Sequence, residues 1–217
     1  MRNHLRHRHS TLAALAAALL IALQFLTPGI SGAADELSPE AQVRQVTADV
    51  LDAIKGDQAL QAGDRQKALA LAEQKILPHV DFREATRLAV GRAWSMATAE
   101  QQKRLVDEFR ALLVRTYANA VDVYRGQTMK VQPVRMTPGA TEVTVRNLYL
   151  NSSNRSIPVD YSMLKTPDGW KIYDVTVEGM SLVITYRGEF EQIVRQSGID
   201  GLITRLAEKN QPAKSTP

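Results

Sequence analysis

Three neighbouring stretches decide the fold: Thr141-Glu142-Val143-Thr144-Val145-Arg146-Asn147-Leu148-Tyr149-Leu150, Ser156-Ile157-Pro158-Val159-Asp160-Tyr161-Ser162-Met163-Leu164 and Trp170-Lys171-Ile172-Tyr173-Asp174-Val175-Thr176-Val177. Apolar residues recur at period two in each, and β-branched and aromatic types are frequent. The stretches are separated by Asn151-Ser152-Ser153-Asn154 and by Lys165-Thr166-Pro167-Asp168-Gly169, both strong turn sequences. Met129 to Val134 adds a shorter strand limited by Pro133. Four strands joined in series form an antiparallel meander.

The strand faces carry a second message. Val143, Val145 and Tyr149 fall on one side and Leu148 and Leu150 on the other. Ile157, Val159, Tyr161 and Met163 oppose Leu164, while Trp170 and Ile172 oppose Tyr173, Val175 and Val177. A sheet with apolar groups on both faces needs cover on both. The surplus is either core or the wall of an apolar cavity, and periodicity reads the same for the two.

Helices flank the sheet on both sides in sequence. Ser38-Pro39 is an N-cap followed by proline in the first turn, and Val43, Val46, Val50 and Ile54 repeat at helical spacing until Gly56-Asp57. Asp64 opens a helix that Pro78 ends. Asp81 with Glu84, and Thr98 with Gln101, are capping-box pairs. The second pair starts a long helix with Leu105, Phe109, Leu112, Leu113, Ala120, Val121 and Tyr124 on one side and a stop at Gly126. After the sheet, Leu182, Val183, Tyr186, Phe190, Ile193 and Val194 form a helical stripe. Gly198 caps it, and Ile199, Leu202, Ile203 and Leu206 belong to a last short helix. Helices, a meander and helices again make the chain α+β.

The termini set the compartment. Arg2, Arg6 and Arg8 precede an apolar run from Leu12 to Leu26, and small residues follow at Ser31 to Ala34. The run is shorter than the ~20 residues a spanning helix needs, so residues 1–34 read as a signal peptide cleaved near Ala33 or Ala34. Residues 35–210 then read as one domain and 211–217 as a polar, disordered tail. The protein is expected to be exported. The whole chain holds 27 basic and 23 acidic residues, a net charge of +4. Cleavage removes three arginines and no acid, leaving 24 against 23. No basic stripe with interleaved aromatics remains, which argues against nucleic acid as a partner.

Catalytic chemistry finds little material. There is no cysteine, so disulfides, thiol nucleophiles and Cys-ligated zinc are excluded. His79 is the one histidine outside the leader, too few for a His-rich metal site. Glycine-rich phosphate loops are absent. Gly179-Met180-Ser181 lacks the second glycine of a nucleophile elbow, and Ser181 reads as the N-cap of a helix starting near Leu182. Asp160, Asp174 and Glu178 are acid/base candidates, but acids at strand ends commonly cap helices or meet arginines, and Arg187 is in range of the last two. The expectation is no enzyme activity, no metal and no cofactor.

Three stretches carry a resemblance to a known family. They are Ile76-Leu77-Pro78-His79-Val80-Asp81-Phe82 with Gly91, Trp94 and Gln101; Phe109 to Leu113 with Tyr117 and Tyr124 to Thr128; and Trp170 to Val175 with Glu178 to Leu182 and Ser197 to Leu202. In order and spacing they resemble the MlaC, or toluene-tolerance auxiliary, family of periplasmic phospholipid carriers. The resemblance implies that sheet and helices enclose an apolar pocket holding the acyl chains of a phospholipid, the cargo. It also implies exchange between an inner-membrane ABC transporter complex with its substrate-binding ring and an outer-membrane lipoprotein–porin complex. On this reading Trp94, Leu113, Tyr117, Val145, Val159, Tyr161, Met180 and Val183 line the pocket, with Met180 at its mouth. Some relatives have a basic residue where this chain has Pro158, which leaves Arg155 or Arg187 for the head group.

Overall fold

The structure, a computed structural model, describes residues 37–117, 128–150 and 155–211. The leader, Ala120, Val121, Tyr124, Gly126, the turn 151–154 and residues 212–217 lie outside them.

Helix α1 (Pro39–Gly56) is capped by Ser38, whose Oγ accepts from the Ala41 amide at 3.2 Å. Asp57 then caps a short α2 (Gln58–Ala62), which the sequence reading passed over as part of a break. Helix α3 (Arg65–Lys75) starts on Asp64 and is followed by a 3-10 turn, Leu77–His79. Asp81 accepts from the Glu84 amide and opens α4 (Phe82–Val90). Gly91, at φ 63°, ψ −132°, turns the chain into a 3-10 segment, Gly91–Met96. Thr98 and Gln101 form both capping-box hydrogen bonds, at 3.0 and 3.2 Å, ahead of α5 (Ala99–Tyr117).

The antiparallel sheet has five strands in sequential order: β1 (Thr128–Val131), β2 (Glu142–Leu150), β3 (Ser156–Thr166), β4 (Gly169–Val177) and β5 (Met180–Ser181). The fifth is a correction to the expected four. Glu178 and Gly179 take φ 49° and 85°, a left-handed pair that reverses the chain so that Met180 pairs with Val177. Ser181 is therefore a strand residue. Its Oγ accepts from the Ile184 amide, at 2.8 Å, at the head of a 3-10 turn, Ile184–Tyr186, and α6 (Arg187–Asn210) begins only there. Gly198, at φ 69°, ψ −173°, divides α6 where the sequence placed a cap.

The expected side assignment in β4 also changes. Tyr161 pairs with Val175, but Met163, the next residue on that face of β3, pairs with Ile172. The three-residue step is a β-bulge at Tyr173. It carries Trp170 and Ile172 onto the same face as Val175 and Val177. The sheet thus has one mainly apolar face. The opposite face of β2 shows exposed Glu142, Thr144 and Arg146, with only Leu148 and Leu150 half-buried.

Three cores hold the elements. Phe109 of α5 is fully buried, with Tyr186 and Phe190 edge-on at 5.2 and 5.3 Å, among Leu105, Leu202, Ile203 and Leu206. Val50, Ile54, Leu60, Ala68 and Leu71 join α1 to α3. Val43 packs on the inner sheet face against Val131, Val145, Met163 and Trp170. The connector between α3 and α4 is tied to β4 by a parallel bridge, Val80 with Ile172, and by the Asp81 amide donating to the Ile172 carbonyl at 2.8 Å.

Candidate functional site: an apolar cavity between helices and sheet

Because the three cores are separate, the space between them is not filled. It forms a cavity of about 470 Å³, inside the range of ~300–1,000 Å³ usual for small-ligand pockets. One wall is α1, with Val43, Val46, Thr47 and Val50. Ile76, Leu77, His79 and Val80 of the connector, Phe82 and Ala85 of α4, and Leu113, Val114 and Tyr117 of α5 close other sides. The floor is the inner face of the sheet: Tyr149, Ile157, Val159, Tyr161, Met163, Ile172, Val175 and Val177.

Five of the eight residues expected to line a pocket lie on this cavity: Leu113, Tyr117, Val159, Tyr161 and Val183. The other three do not. Trp94 is buried in the helical core with the Arg83 guanidinium 5.2 Å above its ring. Val145 is fully buried within the sheet core. Met180 is 64% exposed on the two-residue β5, opposite Val177, and is not among the lining residues. Core and wall positions share one periodicity, so the strand pattern alone does not separate Val145 from Val159. Sequence reasoning missed the contribution of α1 and the connector. The apolar stripe Val43, Val46, Val50 was legible, but nothing in it announced a cavity instead of a core.

Polar groups on the wall are few. Gln42 donates through Nε2 to the Trp170 carbonyl at 2.7 Å and stands 3.3 Å from His79 Nδ1. Burial, then the nearby Lys171 ammonium, holds the His79 pKa below its ordinary value, so the imidazole is neutral near pH 7. Burial and the Tyr186 hydroxyl push the Tyr117 pKa up to about 12. The Tyr149 and Tyr161 hydroxyls are hydrogen-bonded to each other at 2.8 Å.

Two of the three acid/base candidates, Asp174 and Glu178, have structural partners. Asp174 is buried; its carboxylate accepts from the Ser181 hydroxyl at 2.6 Å and from the Val175 and Val183 amides. Glu178 meets Arg155 at 2.9 Å. Arg187 instead donates to the Leu88 carbonyl from Nε and Nη2, so it serves α4 and not either acid. Among the described residues no three His, Asp or Glu side chains stand together as a metal site, and no helix is long and apolar enough to cross a membrane.

Fold and site together define an α+β domain built around an apolar cavity with one charged edge. The sequence model described as MlaC protein matches residues 44–208, and the chain belongs to the MlaC family. It is 27% identical over 127 residues to toluene tolerance protein ttg2D of Pseudomonas putida, a match spanning 56% of this chain and 59% of that protein. It is 23% identical over 181 residues to the intermembrane phospholipid transport system binding protein MlaC of Haemophilus influenzae, covering 82% and 85% of the two chains. Among solved structures, a phospholipid-binding protein from Ralstonia solanacearum, in complex with a phospholipid, superposes with a TM-score of 0.73 at 40% identity. That match covers 80% of this chain and 97% of the other.

Proposed function

We propose that this protein is a non-catalytic periplasmic carrier that holds the acyl chains of a phospholipid in the cavity and exchanges the lipid between inner- and outer-membrane complexes. The observation that carries the reading is the cavity itself: about 470 Å³, walled by aliphatic and aromatic side chains from every layer of the fold. The bound phospholipid of the R. solanacearum protein supports it. Trp94, Val145 and Met180 are left out of the proposed lining, and Val46, Ile76 and Ile172 enter it.

Energetics constrain how such a carrier works. Two acyl chains with ~30 methylenes gain roughly 25 kcal/mol on leaving water. They are equally sheltered in a bilayer, so transfer between membrane and cavity runs near balance while escape through water is negligible. Release then needs a receiving membrane or protein and no hydrolysis. The matching receivers are an ABC transporter complex with its substrate-binding ring on the inner membrane and a lipoprotein–porin complex on the outer membrane.

Native mass spectrometry of the protein purified from a periplasm, followed by organic extraction, tests the proposal. A stoichiometric phospholipid adduct is the expected result. A clean protein mass that acquires no lipid from vesicles defeats it.

A further inference from the structure

Among the described residues, no lysine or arginine lines the cavity. The carboxylates that do, Asp174 and Glu178, are already engaged, the first by Ser181 and two amides and the second by Arg155. A wall that received a lipid anion would need a cation, because an unpaired buried charge is costly. His79 is the one described lining residue able to become one.

Gln42 keeps it from doing so. The Gln42 side chain is buried, and its Nε2 lies 2.7 Å from the Trp170 carbonyl, an oxygen that only accepts. That contact fixes which end of the amide is nitrogen. The same Nε2 faces His79 Nδ1 at 3.3 Å, and an amide nitrogen only donates, so Nδ1 is the acceptor. The proton of the neutral ring is therefore on Nε2. Charging the ring would add an N–H at Nδ1, pointed at the amide donor. The surroundings do not reverse this. Burial and then Lys171 of β4 oppose the charge, while Asp49 of α1 favours it less strongly and is shared with Lys75 of α3 at 4.0 Å. The Gln42 contact is the one side-chain hydrogen bond of His79 among the described residues, which leaves the Nε2–H without a partner there.

A fixed neutral donor in a wall without cations suits an uncharged oxygen acceptor and not an anion. We infer that His79, held by Gln42 as its Nε2–H tautomer, is a specificity-determining residue that donates to an acyl-ester carbonyl of the cargo and turns away the carboxylate of a free fatty acid. The inference rests on the carrier reading and deepens it from acyl chains in general to esterified ones. A fatty acid whose chain fills the same space sets its carboxylate beside His79. Taking up a proton there at pH 7 costs about 500-fold in affinity for an acid of ordinary pKa ~4.3. Sliding outward into water instead withdraws methylenes from the cavity, at roughly fourfold each.

The test loads wild type and His79→Lys from vesicles with a pyrene-labelled phosphatidylcholine and displaces it at pH 7 with methyl palmitate or with palmitate. Comparing the two proteins cancels what each ligand gains on leaving water. The ratio of methyl palmitate to palmitate affinity should be about tenfold or more higher in wild type, the loss from withdrawing two methylenes. Nitrogen-15 spectra of the wild-type imidazole give a second readout that needs no variant. His79 should show a protonated Nε2 and a bare Nδ1, and methyl palmitate, but not palmitate, should shift the Nε2 signal. The same ligand ratio in both proteins, a protonated Nδ1, or an Nε2 signal indifferent to methyl palmitate overturns the specificity role and leaves the carrier intact. Failure of the labelled phosphatidylcholine to load overturns the carrier reading and this inference with it.

Discussion

Val46→Glu puts one carboxyl into the cavity wall while leaving the three cores untouched. Val43, Val46 and Val50 follow one another along α1, and the structure gives them different surroundings. All three line the cavity, but Val43 is also packed in the sheet core and Val50 in the α1–α3 core, whereas Val46, among the described residues, joins none of the three clusters. Glutamate is also the better helix former, by a few tenths of a kcal/mol. The empty protein should therefore lose only about 1 kcal/mol, the apolar burial of a half-exposed valine side chain. Lipid binding is another matter, because acyl chains leave the carboxylate no water. Neutralising a glutamate of ordinary pKa ~4.3 at pH 7 costs about 3.7 kcal/mol. Burying the unpaired neutral acid adds ~1–3 kcal/mol. A total of roughly 5 kcal/mol weakens binding by between three and four powers of ten. The larger part is a protonation cost, which falls by about 1.4 kcal/mol, a tenfold recovery of affinity, per pH unit as pH falls from 7 toward the ordinary value. Acid should restore binding. The assay is lipid uptake from vesicles across that pH range, with urea denaturation run in parallel. Val43→Glu, which buries a charge in a packed core, should instead lose ~3–5 kcal/mol of stability. Wild-type lipid uptake by Val46→Glu at pH 7 would refute the assignment of this space as the lipid site. So would a loss of uptake matched by a loss of fold.

Phe109→Ala removes the ring gripped by Tyr186 and Phe190 and should cost ~3–5 kcal/mol in urea denaturation; a smaller loss would show that α5 and α6 are held elsewhere. His79 has a folded pKa below its ordinary 6.5, so the unfolded chain binds its proton first and stability should drop as pH falls through that value. In His79→Gln that part of the slope should vanish. Tyr117, with its pKa near 12, should contribute little phenolate absorbance up to about pH 11, so wild type and Tyr117→Phe should gain nearly the same absorbance over that range.

Much of the secondary structure was legible locally. Ser38, Asp64, Asp81 and Thr98 cap helices because a short side-chain oxygen reaches an amide two or three residues on, an interaction contained within one turn. Gly198 was legible for a similar reason, since a left-handed residue inside a helical stripe is most readily glycine. The strands were legible from period two, but β5 was not. Two residues are too few to show alternation, and its existence depends on Glu178 accepting a left-handed conformation that the sequence does not mark.

The sequence by itself determined the α+β order, the capped helix starts at Ser38, Asp64, Asp81 and Thr98, and the apolar stripes of the longer elements, because these depend on neighbours a few residues apart. Only the tertiary structure decided which apolar residues are core and which are wall. The bulge at Tyr173 brings Trp170 and Ile172 onto the face of Val175, and the short β5 leaves Met180 exposed. Val43, Val46 and Val50 all line the cavity, and only what the sheet and α3 place opposite Val43 and Val50 makes those two core residues as well. A side chain's hydrophobicity fixes that it leaves water; whether it then meets another side chain or an empty volume is fixed by elements far away in the chain.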